Sequence, residues 1–139
     1  MGRRKVLGVV LGALVALAGC GGGVETTARG ALIESISPAA AAALIASAPA
    51  GLVVLDVRTP EEFAEARLAG AVNLDFYAPT FADDLAALDG EVPYILYCRS
   101  GNRSETAREM MRSLGFLEVH EMAGGINAWA GAGLPVEAP

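Results

Sequence analysis

The chain has 139 residues, of which 53% are apolar, and it carries 10 basic and 16 acidic side chains. That length allows one domain, and the acidic balance excludes the basic surface with which proteins bind nucleic acid. The single histidine, His120, excludes a Ser-His-Asp triad and a histidine-rich metal site, so we expect neither a metal nor another cofactor.

Residues 1–19 have the three parts of a lipoprotein signal peptide. Basic residues at 3–5 precede an apolar run at 6–18, which is too short to span a bilayer comfortably. The sequence Leu-Ala-Gly-Cys that ends at Cys20 resembles the lipobox of bacterial lipoproteins, in which the cysteine is lipidated. The resemblance implies a lipid anchor on Cys20 and a place in the cell envelope, on the outer face of the cytoplasmic membrane or in the periplasm. An ordinary signal peptide and twin-arginine export stay open.

Residues 20–30 contain Cys20 and a glycine-rich stretch with too little apolar surface to fold, which predicts a flexible linker to a domain at 31–139. Loss of the signal removes three basic residues, which leaves seven arginines against 16 acidic side chains and a charge of −9. It also leaves Cys98 as the only free thiol in a compartment where idle thiols tend to be oxidised. This favours a function for Cys98, although a disulfide to Cys20 is an alternative.

From residue 31 onward, short apolar runs alternate with helical patterns, which is typical of an α/β domain with a parallel sheet and crossover helices. Strands are predicted at 33–36, 52–55, 71–74, 92–97 and 117–120. Helices are predicted at 38–47, 60–66, 82–88, after the Cys98 loop up to Gly115, and from Gly124 onward.

Capping residues support two of these helices. Ser37 is a predicted N-cap, and Thr59, Pro60 and Glu62 have the spacing of a capping box. In the helix after Cys98, the spacing predicts that Arg108 and Arg112 face outward. The opposite, apolar face is predicted to contain Ala107, Met110, Met111 and Leu114. In the last helix, Ile126, Trp129 and Ala130 are predicted to share one face, with Trp129 in the core.

Cys98 lies where the strongest predicted strand ends and a helix begins. Backbone N–H groups, a helix N-terminus and the nearby Arg99 and Arg103 all favour a reactive thiolate and a small anionic substrate. Because ligands bind beyond the carboxyl ends of parallel strands, we expect Asp56 and Arg58 to converge with Cys98. An inert buried thiol, with the two loop arginines paired to Glu105 or Glu109, is the alternative.

Five segments resemble the single-domain rhodanese family, occur in the family's order and together cover about residues 31–136. They are Leu-Asp-Val-Arg at 55–58, Pro-Glu-Glu-Phe at 60–63, Gly-Ala-Val-Asn at 70–73, Tyr-Cys-Arg-Ser-Gly-Asn-Arg-Ser at 97–104 and Gly-Gly-Ile-Asn-Ala-Trp at 124–129. The resemblance implies a rhodanese-like fold, with a central parallel β-sheet flanked by helices on both faces.

The resemblance also implies sulfurtransferase activity through a persulfide on Cys98. A small anionic donor such as thiosulfate would supply the sulfur, and a thiol or cyanide-like group would accept it. Asp56 and Arg58 would brace the loop, with Asp56 accepting hydrogen bonds from loop groups and Arg58 pairing with an acid. The loop backbone would cradle the thiolate and the departing anion, through Arg99, Ser100, Gly101, Asn102, Arg103 and Ser104.

Three other functions remain as alternatives. A phosphatase or arsenate reductase loop would place arginine six residues after the cysteine, where this chain has Ser104. A thiol redox protein would lack a second cysteine to resolve a mixed disulfide. A non-catalytic binding module or persulfide carrier at the membrane surface would keep the fold without turnover. One departure from the family is Arg67, which replaces a common histidine, and we assign it no role in the site.

Overall fold

The computed structural model describes residues 30–139, so the predictions for the signal peptide, for Cys20 and for nearly all of the linker lie outside the described residues. The strands are β1 (Leu32–Ile36), β2 (Val53–Asp56), β3 (Val72–Asn73), β4 (Tyr94–Tyr97) and β5 (Glu118–Met122). The helices are α1 (Pro38–Ser47), α2 (Pro60–Glu65), α3 (Phe81–Ala86), α4 (Asn102–Ser113) and α5 (Gly125–Gly131). All strand pairs are parallel, in the order β1-β5-β4-β2-β3.

The sheet separates two apolar cores, because successive side chains of a strand point to opposite faces. On one face, Leu96 and Val119 pack with Leu85 of α3 and Met111 of α4. On the other, Ile95 packs with residues of α1 and α5 that include Ala41, Ile126 and Trp129. The predicted parallel sheet with helices on both faces is therefore confirmed, as is the core position of Trp129.

The capping predictions are confirmed at both helices. Ser37 Oγ accepts from the N–H of Ala40 at 3.2 Å. Thr59 Oγ1 accepts from the N–H of Glu62, whose side chain accepts from the N–H of Thr59 in return. Such reciprocal bonds satisfy N–H groups that a first helical turn leaves free, which explains why a helix as short as α2 begins sharply at Pro60.

Two predicted side-chain positions are wrong. Arg108 is half-buried, with its side chain 19% exposed, and it bonds Glu109 at 3.1 Å while Nη1 approaches the buried Glu121 to 4.0 Å. Leu114 is 46% exposed because α4 ends at Ser113. Ala130 is exposed on α5, four residues after Ile126 and thus on the same face of the helix. Met111 and Ala107 are buried as predicted, and Arg112 is exposed. Among residues 30–139, no helix has the length and apolar character needed to cross a membrane.

Candidate active site

Cys98 directly follows β4, and three residues separate it from the start of α4. The backbone of this loop is fixed by α5, since the carbonyl of Cys98 accepts from the N–H of Ile126 at 2.9 Å and that of Arg99 from the N–H of Asn127 at 3.1 Å. The loop thereby satisfies N–H groups at the start of α5. Two of the five segments that resemble the family, at 97–104 and 124–129, are thus in direct contact.

Gly125 permits this contact. Its φ is +59°, and a Cβ at this position would lie 2.6 Å from both the carbonyl carbon and the oxygen of Arg99. Real Cβ atoms essentially never approach that closely. Glycine at 125 is therefore required by the close approach of two backbones as well as by the left-handed conformation.

The thiol of Cys98 is enclosed and surrounded by hydrogen-bond donors. The residue is 1% exposed, and Sγ lies 3.1 Å from the N–H nitrogen of Gly101 and 3.4 Å from Oγ of Ser104. Burial raises the pKa of the thiol, but the Ser104 hydroxyl and the N–H groups of Ser104, Gly101 and Ser100 together lower the pKa more. The net result is a pKa below the ordinary value, so a larger fraction of Cys98 is thiolate.

The loop turns sharply at Gly101, whose φ is +114°. This left-handed conformation turns the chain so that the N–H of Gly101 points back at Sγ. Ser100 and Asn102, on either side, are exposed.

Arg103 does not face Cys98 as a free cation, nor does it pair with Glu105 or Glu109. Its guanidinium donates to both carboxylate oxygens of Glu62, at 2.7 and 2.9 Å, and lies over the exposed ring of Tyr77 at 5.4 Å. The bidentate bond to Arg103 lowers the pKa of Glu62 to about 2. Arg103 therefore connects the loop to α2, and most of its charge is compensated there.

Asp56 and Arg58 form a buried ion pair with each other. The guanidinium of Arg58 donates to Asp56 at 2.6 Å and to the carbonyl of Ala66 at 2.6 Å, and Asp56 also accepts from the N–H of Arg58. The predicted pairing of Arg58 with an acid is confirmed, but the predicted hydrogen bonds from the loop to Asp56 are wrong. The reason is local, because Arg58 is only two residues from Asp56 at the same strand end and its side chain reaches the carboxylate directly.

A cavity of about 290 Å³ lies beside the loop. Exposed Arg99 lines it together with Arg58, Glu62, Asn127 and other residues of α2 and α5. The cavity therefore joins the cysteine loop, the buried ion pair and the helix that carries Glu62. Arg99 in its wall suits an anionic ligand, whereas Arg58 is already paired with Asp56, and Glu62 and Glu65 add negative charge to the same wall.

Two acidic residues beside the site are not predicted from the sequence. Glu62 is predicted only as part of the capping box, but it also binds Arg103. Glu121 is 1% exposed and accepts from Ser104 Oγ at 2.7 Å, and Ser104 Oγ in turn lies 3.4 Å from the thiol. The predicted strand ends at residue 120, whereas β5 continues to Met122, so the pattern gives no signal that this acid is buried.

Arg67 and His120 lie elsewhere. Arg67 stacks on Phe63 at 4.9 Å, and its backbone pairs with that of Glu137. His120 lies between Glu34 and Glu118, at 2.8 and 2.9 Å.

Comparison with known proteins decides the family. The model of the rhodanese-like domain matches residues 37–132. The chain belongs to the rhodanese-like domain family. The match includes the cysteine loop, both of its flanking elements and the start of α5 that binds it.

Curated relatives of this rhodanese-like chain carry names of enzymes. It is 35% identical over 96 residues to "Thiosulfate sulfurtransferase GlpE" of Pseudomonas entomophila, covering 69% of this chain and 84% of that protein. It is 36% identical over 99 residues to "Thiosulfate sulfurtransferase 16, chloroplastic" of Arabidopsis thaliana, covering 64% and 82%. At the level of the family, these matches support a transferase of the thiosulfate sulfurtransferase type.

A solved structure extends the likeness to the fold. The crystal structure of a rhodanese-related protein from Thermoplasma volcanium superposes with a TM-score of 0.67 at 30% identity, covering 76% of this chain and 99% of that one. The predicted rhodanese-like fold is confirmed.

Proposed function

We propose that this protein transfers sulfane sulfur from thiosulfate, or a related small anionic donor, to a thiol or cyanide-like acceptor through a persulfide on Cys98. The observation that carries the proposal is the position of Sγ. It lies at the carboxyl edge of the sheet, within hydrogen-bond distance of the N–H of Gly101 and the hydroxyl of Ser104. Both groups stabilise an anionic sulfur, and the pKa of the thiol is lowered accordingly.

The reaction has two covalent steps. The Cys98 thiolate attacks the outer sulfur of thiosulfate, the new S–S bond forms as the donor's S–S bond breaks, and sulfite leaves with the electron pair. The acceptor then attacks the outer sulfur of the persulfide, and Cys98 leaves as a thiolate. Because Cys98 is almost fully enclosed, the proposal favours a small donor that presents a terminal sulfur.

The charges around the site support an anionic donor. Arg99 is exposed beside the loop and shares a cavity with Arg58, whereas Arg103 is already compensated by Glu62. Arg99 is thus the loop cation left available to attract a donor to an otherwise acidic protein. We assign Ser100 and Asn102, both exposed on the same loop, to the rim that a donor meets first.

The test uses the full-length chain with Cys20→Ser, since the sequence has two cysteines and Cys98 is then the only thiol. The protein is incubated with thiosulfate, weighed intact by mass spectrometry, treated with cyanide and weighed again. The parent is expected to gain one sulfur atom and to lose it as thiocyanate, whereas Cys98→Ser does neither. A parent that takes up sulfur from neither thiosulfate nor polysulfide would instead support the non-catalytic binding module.

We further propose that the protein is exported and tethered to the bacterial cell envelope through lipid on Cys20, with residues 20–30 as the linker. The proposal rests on the basic start, the apolar run and the Leu-Ala-Gly-Cys ending of the first 20 residues. Cells grown with a taggable fatty-acid analogue should label the natural sequence and its Cys98→Ser variant equally, and the Cys20→Ser variant not at all. Equal labelling of Cys20→Ser, or no labelling of the natural sequence, would contradict the anchor.

A further inference from the structure

Glu121 is a buried acid that the two-step reaction has not used. It lies on β5, the strand between β4 and β1, and its partners in the sheet are Leu96 and Ser35. One carboxylate oxygen accepts from Ser104 Oγ at 2.7 Å, and the other accepts from Ser35 Oγ at 2.7 Å. From α4, Nη1 of Arg108 approaches to 4.0 Å. A well-packed apolar side chain would be an easier occupant of such a position, so the acid calls for an explanation.

Ser104 connects this acid to the reactive thiol. Its Oγ lies 2.7 Å from Glu121 Oε1 and 3.4 Å from Cys98 Sγ, and also 3.0 Å from the carbonyl of Gly101. A hydroxyl has one proton to donate. Three acceptors compete for this proton, namely Glu121, Cys98 and the carbonyl of Gly101, and the protonation of Glu121 and Cys98 decides between the first two.

Two arrangements satisfy the three groups. In the first, the Cys98 thiol donates to Ser104, and Ser104 donates to an ionised Glu121. In the second, a protonated Glu121 donates to Ser104, and Ser104 donates to an anionic or sulfur-substituted Cys98. The arrangements differ by one proton moved from Cys98 to Glu121, with the hydroxyl of Ser104 reversing its direction.

We propose that Glu121 is a positioning residue that, acting through Ser104, holds the proton of Cys98 while the sulfane sulfur is on the protein. This rests on the proposed persulfide function. The proton of Cys98 passes to Ser104 and that of Ser104 to the Glu121 carboxylate, and the thiolate formed in this way attacks the outer sulfur of thiosulfate as the donor's S–S bond breaks and sulfite leaves.

The second step reverses the transfer. When cyanide takes the outer sulfur as thiocyanate, Cys98 leaves as a thiolate, which then receives the Ser104 proton while Glu121 returns its own to Ser104. Each step leaves the total charge unchanged, because the proton stays within the protein.

The surrounding charges fit this role. Nη1 of Arg108 from α4 lies 4.0 Å from the carboxylate while its Nε donates to Glu109 at 3.1 Å, and Arg103 is bound to Glu62 and so favours the thiolate only weakly. Ser35 lies on the exposed strand β1, so its hydroxyl connects the second oxygen of Glu121 to the solvent side of the sheet. The acid can thus equilibrate with solvent between turnovers without opening the cysteine loop.

The test is a difference infrared spectrum of the full-length Cys20→Ser chain before and after loading with thiosulfate, with loading checked by intact mass. A protonated carboxyl has a C=O stretching band that is separate from those of carboxylates. We expect one such band to appear on loading in the parent and in Glu118→Gln, a matched change on the same strand. We expect no band in Glu121→Gln, nor in Ser104→Ala, which keeps the acid but removes its connection to Cys98.

The outcomes separate this inference from the function on which it rests. A parent that gains one sulfur but shows no acid band overturns the inference and leaves the sulfur transfer standing. A band that persists in loaded Glu121→Gln, or in loaded Ser104→Ala if the first variant fails to fold, also overturns it. A parent that gains no sulfur overturns both proposals.

Discussion

At the carboxyl edge of the sheet, the consecutive residues Tyr97 and Cys98 face opposite cores, and the polar groups beside them differ in kind. Beside Tyr97, the charges of Asp56 and Arg58 are paired directly and closed to further partners. Beside Cys98, the thiol, the hydroxyl of Ser104 and the carboxyl of Glu121 form a series of hydrogen bonds along which a proton can move. The ion pair fixes the position of the strand ends, and the series of hydrogen bonds adjusts the protonation of the thiol. Adjacent residues of one motif can therefore face environments with unrelated tasks.

Breaking the ion pair should have the largest effect on stability. Asp56→Asn leaves the 4% exposed Arg58 as a buried cation with a weakened partner, so we expect the free energy of unfolding in urea to fall by about 3 kcal/mol. The pH dependence of Cys98 alkylation should stay unchanged, because Asp56 lies on the other face. Asp83→Asn, at an exposed site in α3, is the neutral control. If Asp56→Asn shifted the pH dependence of Cys98 alkylation and left the unfolding free energy unchanged, Asp56 would act on the thiol and not on the stability of the strand ends.

The contact between the loop and α5 should come next. Gly125→Ala places a Cβ against the carbonyl group of Arg99 in a left-handed conformation, and we expect a loss of about 2–3 kcal/mol in unfolding free energy together with slower sulfur uptake. Gly131→Ala, in the same helix with open space around the new methyl group, should change stability by less than about 1 kcal/mol. Equal stability of the two variants would show that the loop does not depend on this close approach.

Ser104→Ala tests the hydrogen bonds that join Cys98, Ser104 and Glu121. Removing the hydroxyl removes a contribution that lowers the pKa of the thiol, so the midpoint of iodoacetamide alkylation should move to higher pH. Hydrogen bonds to charged groups contribute about 1.5–3 kcal/mol, so alkylation near neutral pH should slow roughly tenfold. Ser113→Ala, whose exposed hydroxyl donates only within α4, should leave the profile in place. A midpoint that moves to lower pH would contradict the role of Ser104.

The pair between Glu62 and Arg103 should show the smallest effect, since both side chains are partly exposed to solvent. We expect Glu62→Gln to lower the unfolding free energy by about 1 kcal/mol at neutral pH. Because pairing holds the pKa of Glu62 at about 2, below the unfolded value of 4.5, its contribution is present above pH 4.5 and is lost as the pH falls toward 2. The difference from the parent should therefore narrow over that range, and Glu61→Gln, exposed in the same turn, should show no such trend. A difference in unfolding free energy that grows as the pH falls toward 2 would contradict this prediction.

Local patterns were sufficient to predict the sheet, the capping of α1 and α2, and the position of Cys98 between a strand and a helix. These features depend on residues close together in the chain, such as Thr59 and Glu62. The hydrogen bond of Glu121 with Ser104 and the pairing of Glu62 with Arg103 join residues 17 and 41 positions apart, which no local period encodes. The predicted contact between Asp56 and the loop is wrong for a related reason, because topology brings strand ends together but the direction of each side chain decides which of them touch.

The persulfide on Cys98 is tested most directly by locating the transferred sulfur. The full-length chain is loaded with thiosulfate, digested under conditions that preserve persulfides, and its peptides are weighed. We expect one additional sulfur on the peptide that contains Cys98, and we expect it to be lost on treatment with cyanide. Continued production of thiocyanate from thiosulfate while that peptide carries no additional sulfur would contradict the persulfide on Cys98.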